Sequence, residues 1–200
     1  MNIATTLTFS RLVIAPFFAY GFIHGVRAGS ASWLWGAAIM LALMELSDAF
    51  DGYAARNRGE VTDFGKVFDP MADSLARMTC FLSFLLTGII PLWMFLIFFY
   101  RDSFMSLLRI ICAAKGTVLA ARRSGKLKAI IQAVAIILVL LVCLAYAHGL
   151  SWAPRTVAGQ HPGFWIMLVP AVITALSIFD YLIPNMHAVK SMMEVKKPGA

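Results

Sequence analysis

Four aspartates lie close together in a chain that is otherwise strongly apolar. Asp48 and Asp51 are three residues apart, and Asp69 and Asp73 are four residues apart. Residues at these spacings share one face of an α-helix, so each pair can direct its carboxylates the same way. Four carboxylates held together repel one another unless cations lie between them, and hard divalent cations prefer carboxylate oxygens. The pattern therefore predicts a site for one or two divalent metal ions, completed by the phosphate groups of a substrate.

A simpler explanation covers one of these residues. Asp69 precedes Pro70, so it could cap a helix whose first residue is the proline. This alternative explains one aspartate but not four on converging helix faces.

Small residues and one cation surround the acidic pairs. Gly52 follows Asp51 inside a predicted helix, where glycine costs roughly 1 kcal/mol relative to alanine. The missing side chain would let a ligand or a neighbouring helix approach the backbone, and Gly65 keeps the same region small. Arg56, one turn beyond Gly52, is placed to meet a phosphate group.

The elements that must position these residues are long apolar helices. The 200 residues are 60% hydrophobic and 14% charged, whereas soluble domains carry about 25% charged residues. A membrane-spanning helix needs roughly 20 apolar residues, and the apolar runs predict an all-α, polytopic bundle of six transmembrane helices forming a single domain over residues 1–200. The predicted helices cover about 5–26, 32–57, 68–88, 91–120, 127–148 and 163–187.

Basic residues predict the orientation of this bundle. Of the 17 Lys and Arg, only Arg27 and Arg155 fall in the first and fifth connections, and the third connection has none. The positive-inside rule then places both termini and the acidic pairs on the cytoplasmic side of the cell (inner) membrane. The sequence pI is about 9.6. This excess of basic residues fits an anionic membrane surface and anionic substrates, and it is not taken as a sign of nucleic-acid binding.

The acidic segment resembles the signature of the CDP-alcohol phosphotransferase (phosphatidyltransferase) family, D-x2-D-G-x2-A-R-x8-G-x3-D-x3-D. All eight fixed positions match within 26 residues, at Asp48, Asp51, Gly52, Ala55, Arg56, Gly65, Asp69 and Asp73. The resemblance implies a six-helix membrane enzyme, usually a homodimer, that cleaves a CDP-linked substrate and releases CMP.

The resemblance also implies a role for each of these residues. Two ions of Mg²⁺ or Mn²⁺ would be held by Asp48, Asp51 and Asp69, with Asp73 completing the metal site. Asp73 would in addition be the catalytic base on the acceptor hydroxyl. The CDP-diacylglycerol donor would be bound by Asp51, Gly52, Arg56 and Gly65.

A second group of basic residues bears on the acceptor. Arg101 and Arg109 are eight residues apart on the predicted fourth helix, and Lys126 and Lys128 begin the fifth. The positive-inside rule and the snorkelling of long side chains to the interface account for some of the basic residues here. Arg101 and Arg109 have apolar neighbours, which favours an anion as their partner. The pattern predicts a site for an acceptor phosphate.

Within the family, this region resembles bacterial phosphatidylglycerophosphate synthases, from the N-terminal NIATTLTFSRLVIAPFF to the SGKLKAIIQ stretch. In that subfamily an arginine followed by an acidic residue, a second arginine eight residues on and a G-K-x-K-T stretch accompany the use of sn-glycerol 3-phosphate. The matching residues here are Arg101, Arg109, Gly125, Lys126 and Lys128. Two positions depart from this pattern, because Asp102 is usually Glu and Ala129 is usually Thr. The resemblance implies transfer of a phosphatidyl group from CDP-diacylglycerol to sn-glycerol 3-phosphate, giving phosphatidylglycerophosphate and CMP.

Other functions remain open at this point. The same chemistry could use inositol phosphate as acceptor, or serine or a second lipid. From a different class, intramembrane acids also mark the ion pathways of transporters. Such a site is expected near the midplane on broken helices, whereas these aspartates flank a predicted cytoplasmic loop beside Arg56.

Overall fold

The computed structural model describes residues 3–58, 63–114, 123–150 and 155–193. The side chains of several candidate residues lie outside that description, namely those of Asp48, Asp51, Arg56, Arg109 and Lys126, and so do the surroundings of Gly52. The described chain forms six α-helices: α1 (Ile3–Ala28), α2 (Ala31–Arg58), α3 (Asp63–Leu86), α4 (Leu92–Ala114), α5 (Arg123–Ala147) and α6 (Pro162–Met193). The prediction of an all-α chain with six helices in this order is confirmed.

The start of α3 differs from the prediction. The helix begins at Asp63, five residues before the predicted boundary, and Pro70 lies inside it. The suggestion that Asp69 caps this helix is therefore wrong, because Asp69 is already in its second turn. Proline in a helix interior loses one backbone hydrogen bond, but the continuous helix carries Gly65, Asp69 and Asp73 together.

Aromatic side chains form the core at the end of the bundle away from the aspartates. Phe18, Phe22, Phe81, Phe84 and Phe98 are each fully buried. The rings of Phe22 and Phe84 lie 5.0 Å apart and those of Phe81 and Phe98 4.4 Å apart. These contacts join α1, α3 and α4. The same three helices carry the polar side chains described below, so the aromatic core fixes how those side chains are placed.

Outward-facing surfaces of the helices are apolar as well. Val13, Phe17, Tyr100 and Leu176 are each more than 60% exposed, which suits contact with lipid better than with water. Within the described residues, Thr6–Ala28 and Leu127–Ala147 are long and apolar enough to cross a membrane, and Ala31–Ser47 and Pro162–Ser177 are shorter apolar helical segments.

Candidate active site

Residues at the start of α1 tie α2 and α3 together at the level of the acidic pairs. The Thr8 hydroxyl donates a hydrogen bond to Asp69 Oδ1 over 2.9 Å. The Ser47 hydroxyl donates to the Leu7 carbonyl over 3.0 Å. Asp69 on α3 and the residue that precedes Asp48 on α2 are therefore held by adjacent residues of one helix.

Asp73 lies one turn further along α3 and forms an ion pair with Arg11 of α1. Arg11 is 3% exposed, and it shares a helix face with Thr8 because the two are three residues apart. Arg77 Nη1 lies 3.9 Å from the second carboxylate oxygen of Asp73. The structure thus holds both carboxylates of the α3 pair with side chains from α1.

The donor set fits a hard divalent cation. Asp69 and Asp73 present carboxylate oxygens, which Mg²⁺ and Mn²⁺ prefer. Asp69 contacts α1 next to the point where Ser47 of α2 contacts the same helix. The α3 pair supplies two carboxylate ligands. Among the described side chains no group of three metal-ligating residues is found. Asp48 and Asp51 would have to supply the others.

A second polar cluster surrounds Asp102 of α4, which is 5% exposed. Asp102 Oδ1 accepts a hydrogen bond from Arg101 Nη1 over 2.9 Å and forms an ion pair with Lys128 Nζ of α5. Its other oxygen accepts from the Ser74 hydroxyl over 3.2 Å. Arg101 Nε also donates to the Ser177 hydroxyl of α6 over 3.2 Å. Two of the four cations predicted for the acceptor are therefore brought together, and a carboxylate lies between them.

Ser74 connects the two clusters, because it directly follows Asp73 in α3. The polar network runs from Arg11 on α1 through α3 to Asp102 on α4 and on to α5 and α6. Around Asp102, two cations face one carboxylate, so this part of the network keeps an excess positive charge.

A pocket of about 160 Å³ opens beside Asp73, between α1, α2, α3 and α5. The charged side chains in its wall are Arg11, Glu45, Asp73 and Arg77, and α5 contributes Ala129 and Ala133. The pocket offers a small ligand two guanidinium groups and two carboxylates.

Sequence reasoning assigned no role to Arg11, Thr8 or Arg77. A signal for Arg11 was available, since it is the one charged residue within the apolar run of the first helix up to Arg27. Its partner on α3 could not be read from the chain, because the contact joins residues that are far apart in sequence.

A profile of the CDP-alcohol phosphatidyltransferase family matches residues 1–176. The chain belongs to this family. Membership makes the protein a membrane-associated transferase and argues against the transporter alternative. CDP-alcohol phosphatidyltransferases generally depend on divalent metals.

Several members of the family are similar to this chain along much of its length. A CDP-diacylglycerol–glycerol-3-phosphate 3-phosphatidyltransferase of Treponema pallidum is 36% identical over 147 residues, 73% of this chain and 68% of the relative. The Bacillus subtilis protein of that name is 27% identical over 199 residues, 95% of this chain and 98% of the relative. A probable phosphatidylglycerophosphate synthase of Mycobacterium tuberculosis is 36% identical over 135 residues, 68% of this chain and 64% of the relative.

Proposed function

We propose that this chain transfers the phosphatidyl group of CDP-diacylglycerol to sn-glycerol 3-phosphate, yielding phosphatidylglycerophosphate and CMP. The observation that carries the proposal is the similarity to relatives named for this activity, which for one of them extends over 95% of the chain. The geometry supports it, because Asp73 borders a pocket with cationic groups and adjoins a second cationic cluster.

In this reaction the acceptor hydroxyl oxygen attacks the phosphorus next to the diacylglycerol. The new O–P bond forms as the P–O bond to CMP breaks, and the hydroxyl proton goes to Asp73, the catalytic base. Arg11 fixes the orientation of the Asp73 carboxylate through their ion pair. Thr8 does the same for Asp69 through its hydrogen bond.

Divalent ions, Mg²⁺ or Mn²⁺, would be held by Asp48, Asp51, Asp69 and Asp73. When bound, such ions neutralise the diphosphate and stabilise the leaving CMP. Asp51, Gly52, Arg56 and Gly65 bind the CDP-diacylglycerol head group in this proposal. Its acyl chains lie along the apolar helix surfaces, for which the exposed Phe17 and Val13 of α1 are suited.

The acceptor phosphate is bound in this proposal by Arg101, Arg109, Lys126 and Lys128. Support comes from the Asp102 cluster, where Arg101 and Lys128 meet with an excess positive charge. Asp102 holds the two cations in place, so that their charge is organised before the acceptor arrives.

The proposed setting is the cytoplasmic face of the inner membrane, with six membrane spans, both termini in the cytoplasm and two chains forming a homodimer. The distribution of Lys and Arg along the chain supports the orientation. A water-soluble acceptor and a lipid-bound head group would then meet at the membrane interface.

A second candidate is the same chemistry on another acceptor. A probable cardiolipin synthase (CMP-forming) of Drosophila melanogaster is 32% identical over 106 residues, 52% of this chain, which favours a lipid among the other acceptors. Inositol phosphate and serine complete the set to be tested.

The test is release of CMP by purified protein in detergent with Mg²⁺ and CDP-diacylglycerol. We expect release with sn-glycerol 3-phosphate and none with inositol 1-phosphate, serine or phosphatidylglycerol. Asp73→Asn should reduce the rate roughly 10²- to 10⁴-fold, as for the loss of a general base, whereas Glu194→Gln should leave it unchanged. EDTA should abolish the activity, and Mg²⁺ or Mn²⁺ should restore it. Release with a different acceptor alone would overturn the proposed substrate.

A further inference from the structure

The pocket beside Asp73 has a charge pattern that the metal site does not explain. It contains the guanidinium groups of Arg11 and Arg77 and the carboxylates of Glu45 and Asp73, whereas the facing wall on α5 is formed by small and apolar residues such as Ala129 and Ala133. Polar groups are therefore concentrated on one side, and a small polar ligand could lie against them.

Arg77 makes the weaker of the two arginine contacts with Asp73. Arg11 forms a close ion pair with Asp73, but the contact of Arg77 with the same aspartate is 3.9 Å. Within the described part of the chain, the buried Nε of Arg77 has no hydrogen-bond partner. A buried donor without a partner costs free energy, and one explanation for such a group is a ligand that supplies the acceptor.

The position of Arg77 links the two polar clusters. It lies one helical turn beyond Asp73 on the same face of α3, and three residues beyond Ser74, whose hydroxyl donates a hydrogen bond to Asp102. Because a terminal nitrogen of Arg77 lies 3.9 Å from the Asp73 carboxylate, a short phosphorylated alcohol could contact both side chains at once.

The chemistry of the pocket matches one class of ligand. Guanidinium groups bind phosphate oxygens through paired N–H donors, and carboxylates accept hydrogen bonds from hydroxyl groups. The pocket volume of about 160 Å³ is close to that of a protein cavity of about 150 Å³ that holds benzene. A phosphate with part of a short polyol therefore fits, and the rest of the molecule can extend through the open side.

On the basis of the proposed function, we infer that this pocket is the acceptor subsite and that Arg77 determines its specificity. Arg77 binds the phosphate monoester of a small phosphorylated polyol, and Glu45 accepts a hydrogen bond from one of its hydroxyl groups. The phosphate then lies between Arg77 and the cations around Asp102. An acceptor without a phosphate lacks a partner for Arg77 and is rejected.

Steady-state kinetics of the full chain in mixed micelles tests this inference. Arg77→Gln should raise the KM for sn-glycerol 3-phosphate roughly 10- to 100-fold, the effect of losing charged hydrogen bonds, and leave the KM for CDP-diacylglycerol within about twofold. Arg77→Lys should restore part of the affinity, since it keeps the charge but not the paired donors. Arg155→Ala, which removes an exposed arginine from the connection before α6, is the matched control and should change neither constant.

A second variant tests the pocket without changing a charge. Ala133→Leu places a larger side chain in the α5 wall and should raise the KM for the acceptor, whereas Val134→Leu, at an adjacent exposed position, should not. Ala133→Leu decides the question if Arg77→Gln is not recovered folded. An unchanged acceptor KM, or an equal rise in both KM values, would overturn the inference.

Failure of the proposed function gives a different result. Wild-type protein would then release no CMP with sn-glycerol 3-phosphate. If the protein releases CMP with inositol 1-phosphate instead, the KM values of the Arg77 and Ala133 variants are measured for that acceptor. A selective rise in its KM would support the pocket assignment. Activity with serine alone would overturn both proposals.

Discussion

Arg11 shows how one residue can organise the site from a distance in sequence. A buried guanidinium is costly unless a carboxylate compensates it, and Arg11 meets Asp73 of α3. Since Thr8 contacts Asp69 from the same face of α1, one helix face orients both carboxylates of the α3 pair. Arg11 is thus a positioning residue for Asp73, the proposed catalytic base.

A double-variant cycle in EDTA measures this ion pair. Arg11→Met should lower the free energy of unfolding by about 2–3 kcal/mol, less than the 3–5 kcal/mol of a fully buried pair, because the Asp73 side chain keeps 26% exposure and has Arg77 nearby. Arg11→Met combined with Asp73→Asn should recover much of this loss. A double variant no more stable than Arg11→Met would contradict the pairing.

At the scale of elements, Asp102 joins α3, α4 and α5 through side-chain contacts. It accepts hydrogen bonds from Ser74 on α3 and Arg101 on its own helix, and it pairs with Lys128 on α5. Arg101 extends the cluster to α6 through Ser177. The cluster therefore connects side chains of α3, α4, α5 and α6 at one level of the bundle.

Asp102→Leu should lower the free energy of unfolding by about 3–5 kcal/mol, since it leaves buried Lys128 without its carboxylate. Thermal unfolding in detergent would measure the change. Ser103→Leu, at the adjacent exposed position, should have little effect. Adding Lys128→Met to Asp102→Leu should restore part of the stability, and no restoration would count against the cluster as described.

The connection from α5 to α6 contains a group that responds to pH. His161 Nδ1 accepts a hydrogen bond from the Gly163 backbone N–H over 3.0 Å at the start of α6, which requires Nδ1 to be unprotonated. Burial lowers the pKa of His161 below its ordinary value of 6.5. The neutral form is thus favoured in the folded protein, and its stabilising contribution is complete above pH 6.5 and lost as the pH falls through the folded pKa.

Hydrogen exchange of residues 155–165 tests this at pH 7.5 and pH 5, after correction for the intrinsic pH dependence of exchange. Protection at the start of α6 should fall at pH 5. His161→Gln should show less protection at pH 7.5 and a smaller change with pH. An equal pH response in both proteins would exclude His161 as the cause.

For the whole molecule, the distribution of charge sets the proposed orientation. The N-terminal half of α1 carries the contacts to Asp69 and Asp73, whereas Arg155 lies in the connection at the opposite end of α5 from Lys128. Along α1 and α3 the polar network precedes the buried phenylalanines, so it lies nearer the N-terminal ends of these two helices. The positive-inside rule assigns the polar end to the cytoplasm.

Cysteine labelling in intact cells tests this orientation. In a chain with Cys80, Cys112 and Cys143 replaced by alanine, Thr156→Cys should react with a membrane-impermeant maleimide from outside. Lys197→Cys should react after the membrane is permeabilised. Labelling of both positions from the same side would contradict the proposed topology.

The sequence by itself determined the six helices, and it predicts the chemistry of the acidic pairs. Long apolar runs predict helices because a segment in lipid must satisfy its backbone hydrogen bonds internally. Spacings of three and four residues define a helix face locally. The start of α3 was placed too late because proline is common at the first position of a helix. In the structure Pro70 lies inside α3, which begins at Asp63.

Only the tertiary structure decided which distant side chains meet. Arg11 could have faced lipid, and the acceptor cations could have been separate. The packing of α1 on α3 pairs Arg11 with Asp73, and the approach of α3, α4 and α5 gathers Ser74, Arg101 and Lys128 around Asp102. These contacts depend on how helices far apart in sequence rotate and pack against one another, whereas helix periodicity is a local property of the chain.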